Sequence, residues 1–226
     1  IVNSYALAVI FCFVTMLCWG SWGNTQKLAA KSWRYELFYW DYVIGMVLFS
    51  LLLCFTMGSM GSEGRPFMED LGQADAANIG WVILGGVIFN ASNILLSAST
   101  SLAGLSVAFP LGVGLSLVIG TVVKYIGAPK GNPVLLFAGI ALIVVAIICN
   151  GVASGKVQKE GADPRSNRKG LILAVCAGVL MAFFYRFVAK AMDLDNFEHP
   201  TPGMVTPYTA IFIFSLGVLL SNFIFK

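Results

Sequence analysis

Seven stretches of this chain are apolar for long enough to cross a bilayer, and no soluble domain fits between them. They run Tyr5 to Gly23, Leu37 to Met57, Ile79 to Ser101, Gly104 to Ile126, Pro133 to Ala153, Leu171 to Met192 and Val205 to Phe225. A hydrocarbon core of roughly 30 Å takes about 20 helical residues to span, and in lipid each backbone polar group must find its partner within the helix. The expected fold class is therefore an all-α polytopic membrane protein. Composition agrees: hydrophobic residues make up 58% of the chain and charged residues 11%, against roughly 25% charge in an ordinary soluble domain.

Several classes of function fall away at once. A net charge of +3, dispersed along the sequence, gives no basic surface for nucleic acid. Cys12, Cys18, Cys54, Cys149 and Cys176 all lie in apolar runs without paired spacing, so neither a disulfide framework nor a zinc site is indicated. No metal and no cofactor are expected. The single histidine, His199, sits in a Pro-rich loop, and no HExxH, GxSxG or paired-acid motif occurs, so the chain is not expected to be an enzyme.

The longest connections are "GSMGSEGRPFMEDLGQADAAN" and "SGKVQKEGADPRSNRKG", both rich in charge and turn formers, and they read as solvated loops. Lysine and arginine set the orientation. Lys27, Lys31 and Arg34 fall in the first loop, and Lys156, Lys159, Arg165, Arg168 and Lys169 in the fifth. Arg65, Lys124, Lys130 and Lys190 fall on the opposite side. The N-terminus is expected outside and the fifth loop in the cytoplasm.

The first and sixth spans echo each other. "LAV" at Leu7 to Val9 recurs at Leu173 to Val175, and Tyr42 stands at the same offset from Tyr208. Five spans separate the two units, so the second copy enters from the opposite face, as in the inverted repeats of secondary transporters.

Longer motifs carry a family resemblance. "CWGSWGNTQKLAAKSWRYELFYWDY", "GGVIFNASNILLSAS", "LSVAFPLGVGLSLVIGTVVKYIGAPKGNPVLLFAGIALIVVAIICNGVA" and "TPYTAIFIFSLG" resemble the ureide permease family and its bacterial relatives in the glucose/ribose porter branch of the drug/metabolite transporter superfamily. The resemblance implies ten helices in a five-plus-five inverted repeat, of which seven are present, and import of small polar metabolites, often driven by protons. The corresponding division is 1–153 as the first five-helix repeat, 154–168 as a hydrophilic central loop and 169–226 as the first two helices of a second repeat, so the chain is expected to be a fragment. Plant members are described with a phosphate-loop-like motif in the central loop. Here "GVASGKV" is one residue short before its GK and lacks the following Ser/Thr, so no nucleotide binding follows.

The expected partners are a small-molecule solute such as a ureide, nucleobase or sugar, together with protons and the lipid bilayer of a bacterial inner membrane or plasma membrane; homo-oligomer formation is left open. Asp41 is the candidate for proton coupling, as a carboxylate at the start of a transmembrane run. Its other reading is a wet residue in an interfacial belt with Phe38, Tyr39, Trp40 and Tyr42. Lys27 or Arg34, on the same side, is the better charge partner, because Arg186 should differ from Asp41 in depth by roughly 15 Å. Arg186 and Lys190, four apart on one helical face, read as snorkelling cations.

Asn90 and Asn93 share a helical face near mid-bilayer, and their carboxamides suit solute binding or an interhelical hydrogen bond. Trp19 and Trp22, followed by Asn24, form either a membrane anchor or a stacking platform for a planar solute. Pro110 removes a helical hydrogen bond, and Gly112, Ser116 and Gly120 make a smooth strip for close helix approach. A non-transporting membrane scaffold, or a degenerate half-transporter, is the alternative function.

Overall fold

The structure, a computed structural model, describes residues 5–29, 33, 35–60, 64–127, 129, 131–157, 164–197 and 199–225, with backbone only at 35, 36, 154–157 and 164. Eight helices and no strand occur among these residues. They are α1 (Tyr5–Ala29), α2 (Tyr35–Phe55), α3 (Phe67–Gln73), α4 (Ala76–Ala103), α5 (Leu105–Gly127), α6 (Pro133–Val157), α7 (Pro164–Lys190) and α8 (Pro207–Phe225). All but α3 are long and apolar enough to cross a membrane. The protein is thus an all-helical, multi-pass membrane protein. Helix α1 continues past Gly23 to Ala29, because no helix breaker follows Gly23 and the polar run Asn24 to Lys27 can finish a helix in headgroups or water.

The chain divides into two compact units, Ile1–Gly86 with Phe187–Lys226, and Val87–Arg186. In the first, α2 and α8 run antiparallel. Cys54 donates to the Tyr208 carbonyl at 3.1 Å, Ser50 and Ser215 hydroxyls meet at 2.9 Å, and the Trp40 and Phe223 rings lie 4.7 Å apart. The packed face of α2 carries Tyr39, Val43, Ser50 and Cys54, all buried, at the three- and four-residue steps that keep side chains on one stripe of a helix. The start of α4 reaches the same core. A Cβ on Gly217 would lie 2.6 Å from the Ile83 carbonyl oxygen, and one on Gly86 would overlap the Phe214 carbonyl, so these helices touch backbone to backbone only because both residues lack a side chain.

In the second unit Gly104 alone separates α4 from α5. Its φ of 83° is a left-handed conformation that costs any residue with a Cβ about 1 kcal/mol or more, and it lets the Gly104 N–H bond back to the Thr100 carbonyl at 3.0 Å. Helix α5 runs on through Pro110. Its small residues pack on α7, where a Cβ on Gly178 would stand 2.6 Å from the Gly112 carbonyl oxygen and one on Gly120 lies 3.5 Å from that of Ala182. Helix α6 turns large apolar side chains outward, among them Leu135, Leu142, Val145 and Ile148, a surface suited to lipid rather than water.

Candidate functional site

Helix α4 is apolar from Gly80 to Phe89 and carries polar residues at intervals from Asn90 onward, and its two faces treat these polar groups differently. On one face Ser92 donates to the Ala177 carbonyl at 2.7 Å and Ser99 to the Gly170 carbonyl at 2.6 Å, so both hydroxyls are used in holding α7. At about 100° per residue, Asn90 lies about 160–180° round the helix from those serines. Asn93 and Ser97 follow Asn90 at steps of three and four, giving one stripe. Asn90, Asn93 and Ser97 are 0%, 3% and 4% exposed, so this stripe is buried as well, with Asn90 on the side of α4 opposite the two serine contacts. Fourteen residues from Ala76, Asn90 stands about 21 Å along a helix of about 42 Å, at its midpoint. Ser97 was not singled out from sequence. Its spacing of seven from Asn90 was the available signal, and serine is too common in helices for that spacing to decide alone.

Asp41 lies on the other side of α2 from its packed stripe, about 200° from Tyr39, and is exposed. The donor that the structure gives it is the Trp33 indole, Nε1 to Oδ2 at 3.1 Å, a residue not singled out from sequence. Lys27 is exposed on the last turn of α1, and Arg34 lies outside the described residues. Asn24 is exposed, as is Trp19. Trp22 is half-buried and packs its ring against Tyr42 at 5.6 Å, while Tyr42 packs in turn on buried Tyr39. The structure therefore brings Trp22 onto α2 and leaves Trp19 and Asn24 on the outer surface of α1. Lys190 takes an aromatic partner too, with Nζ 3.8 Å from the centre of the Trp81 ring.

A third cluster was not anticipated. Asp70, on the short helix α3, is fully buried, and its Oδ1 forms an ion pair with Arg65 Nε at 3.1 Å. The Nε hydrogen is poorly aimed for a hydrogen bond, so the contact is chiefly coulombic. Oδ2 accepts from the Thr206 amide at 2.8 Å and the Thr206 hydroxyl at 2.9 Å. Arg65 also donates to the Met204 carbonyl at 2.9 Å, and Gln73 clamps the same loop by accepting from the Gly203 amide at 2.6 Å and donating to Met204. This network fixes the loop leading into α8. Sequence could not reveal it, because Asp70 and Thr206 are 136 positions apart, Asp70 in a stretch that reads as a solvated loop and Thr206 at the start of an apolar span.

In that loop Asp193 is exposed, and four donors hold its carboxylate below the usual range. The Thr201 hydroxyl comes first, followed by the Thr201 amide, with the amides of Asp195 and Asn196 adding to them.

Buried carboxamides at the midpoint of a spanning helix can serve a polar solute or a neighbouring helix, and comparison with known proteins gives the chain a family. The family model described as Ureide permease matches residues 38–169. The chain belongs to the ureide permease family. It is 27% identical to Ureide permease 2 of Arabidopsis thaliana over 168 residues, covering 72% of this chain and 41% of that protein. Ureide permease 1 of the same plant is 25% identical over 157 residues, covering 69% and 40%. The L-rhamnose-proton symporter of Yersinia pestis bv. Antiqua is 29% identical over 204 residues, covering 86% and 55%. This ureide permease family member spans about half the length of these relatives, and no solved structure matches it. The matched segment takes in α4, the Gly104 turn and the glycine-bearing face of α5.

Proposed function

We propose that the chain is part of a secondary transporter that carries a small polar metabolite, such as a ureide, nucleobase or sugar, together with protons. The observation that carries this reading is the buried Asn90 and Asn93 stripe at the centre of α4. A carboxamide in an apolar helix offers two donors and an acceptor, matching a solute that presents hydrogen-bonding groups and no charge. The relatives are named for ureides and for rhamnose with protons, solutes rich in hydrogen-bonding groups.

In this reading Asn90 and Asn93 contact the solute. Trp22, braced by Tyr42, offers a ring face for stacking, and Trp19 and Asn24 are further candidates for solute contact. Asp41 takes up the proton, with Lys27 or Arg34 as its charge partner. The protein resides in a bacterial inner membrane or a plasma membrane, with its N-terminus outside. Its five-plus-five plan has residues 1–153 as one repeat, 154–168 as the central loop and 169–226 as the opening of the second. A homo-oligomer is compatible with the outward apolar face of α6.

The full-length transporter that contains this chain, purified into liposomes and offered labelled allantoin, uracil or L-rhamnose under an imposed proton gradient, should accumulate one of them. Loss of a buried hydrogen-bond partner costs about 1–3 kcal/mol, so Asn90→Ala or Asn93→Ala should weaken affinity roughly five- to 150-fold. Absence of uptake and binding for all three solutes would favour the membrane-scaffold alternative.

A further inference from the structure

Every other buried polar side chain singled out on or beside α8 has a partner. Thr206 is satisfied by Asp70, and the Thr206 and Thr209 hydroxyls meet at 3.2 Å. Ser215 bonds to Ser50 and to the Phe212 carbonyl, and Ser221 bonds to the Val218 carbonyl. Asn222 is the exception. It is 0% exposed, and neither Nδ2 nor Oδ1 has a hydrogen-bond partner among the described residues.

That difference has a chemical origin. A serine or threonine hydroxyl can rotate onto a carbonyl of its own helix, as Ser215 and Ser221 do, and so can be buried at little cost. An asparagine carboxamide is flat, larger and two-sided, with two donors and an acceptor to place. Left unmade in an apolar interior, those bonds cost about 1–3 kcal/mol, which a leucine of similar size would avoid. An unsatisfied buried group in a folded protein calls for a reason beyond packing.

Its surroundings indicate the reason. The antiparallel register of α2 and α8, fixed by Cys54 with Tyr208, Ser50 with Ser215 and Trp40 with Phe223, sets Asn222 at the level of the Trp40 to Val43 turn. Tyr39 and Val43 on that part of α2 are fully buried, and Tyr42 joins Tyr39 to the Trp22 ring. Asn222 is therefore level with the aromatic part of α2, and a flat neutral group held at that level could stack while exchanging hydrogen bonds.

We propose that Asn222 is a solute-contacting residue, and that it recognises a neutral group presenting a donor beside an acceptor, as in a ureido or cyclic amide edge or a pair of neighbouring hydroxyls. The assignment rests on the transport reading above and adds a residue that neither the sequence reading nor the family match, which ends at residue 169, had singled out. An apolar side chain at this position satisfies the fold better and the solute worse. That combination separates a binding role from a packing role.

The test uses the full-length transporter that contains this chain, purified and titrated with allantoin, uracil and L-rhamnose while melting temperature and Kd are followed. Asn222→Leu should raise the melting temperature in the absence of solute and weaken binding of the preferred solute roughly five- to 150-fold, by the cost of one lost hydrogen-bonding partner. Ser221→Ala should leave Kd unchanged. Asn222→Ala gives a second reading of Kd if the leucine variant fails to fold. In unaltered protein labelled with nitrogen-15, the Asn222 side-chain amide signal should move when solute is added. A preferred solute that binds both variants with unchanged Kd, or leaves that signal in place, overturns the assignment while the transport reading stands. Binding of none of the three solutes overturns both.

Discussion

Arg65 and Asp70 form an ion pair in which the carboxylate is fully buried and the guanidinium side chain retains 19% of its exposure. The asymmetry means that the two halves of the pair are not equivalent. Removing Arg65 strands a charge inside the protein, whereas removing the charge of Asp70 leaves a cation that can still reach water and the Met204 carbonyl. Arg65→Met should therefore destabilise by about 3–5 kcal/mol, and Asp70→Asn by less. Thermal unfolding in detergent measures the order, and a larger loss for Asp70→Asn would show that Thr206, rather than Arg65, is the main partner of this carboxylate.

The approach of α4 to α8 should be intolerant of a single methyl group. In Gly217→Ala the new Cβ would stand 2.6 Å from the Ile83 carbonyl oxygen and 3.0 Å from its Cα, atoms of a helix backbone that cannot rotate aside. A loss of about 1–3 kcal/mol is expected. Gly139→Ala on α6, where nothing lies within 4 Å, is the control and should be neutral or stabilising by up to about 1 kcal/mol. Equal melting temperatures for the two variants would mean that α4 and α8 are not in contact there.

Asp41→Asn separates the two readings of the start of α2. If Asp41 couples proton movement to transport, the variant should lose accumulation against a gradient while keeping solute exchange, because a group with equal proton affinity in both transport states cannot bias the cycle. Normal accumulation by Asp41→Asn under a proton gradient would leave it as the interfacial partner of the Trp33 indole. Counterflow and gradient-driven uptake, measured in one preparation, distinguish these outcomes.

Membrane orientation can be checked by cysteine labelling after replacement of the five native cysteines. With the N-terminus outside, Lys159→Cys should resist an impermeant thiol reagent in intact cells and react after permeabilisation, whereas Leu194→Cys should react in both. The reverse pattern would invert the topology.

The loop before α8 should respond to acid through Asp193. Its proton affinity is lowered in the folded state, chiefly by the Thr201 hydroxyl, so its contribution is complete above the ordinary carboxylate value of about 3.9. That contribution fades as pH falls through the lower folded value. Hydrogen exchange at the Thr201 amide, which donates to Asp193 at 3.2 Å, should quicken across that window beyond the change seen in Asp193→Asn. Parallel pH profiles for the two proteins would rule out this carboxylate as the source.

What the amino-acid sequence determined was set by the solvent. Seven apolar runs admit only helices in lipid, so the number of spanning helices and the placement of Asn90 and Asn93 on one face at the centre of α4 were legible from hydropathy and a spacing of three, whereas the short α3 was not. The small-residue strip at Gly112, Ser116 and Gly120 was legible for the same reason, since close helix contact in a membrane requires small side chains. The tertiary structure decided which face of each helix is covered, because a span that is apolar all round carries no stripe to say where its neighbours lie. Asp41 therefore proved to be on the exposed side of α2, and Asn222, an ordinary polar residue near the end of an apolar run, proved to be fully buried. The Arg65, Asp70 and Thr206 network had the same cause: a solvated-looking segment and the first turn of a distant apolar span become one buried cluster only when the helices that carry them are packed.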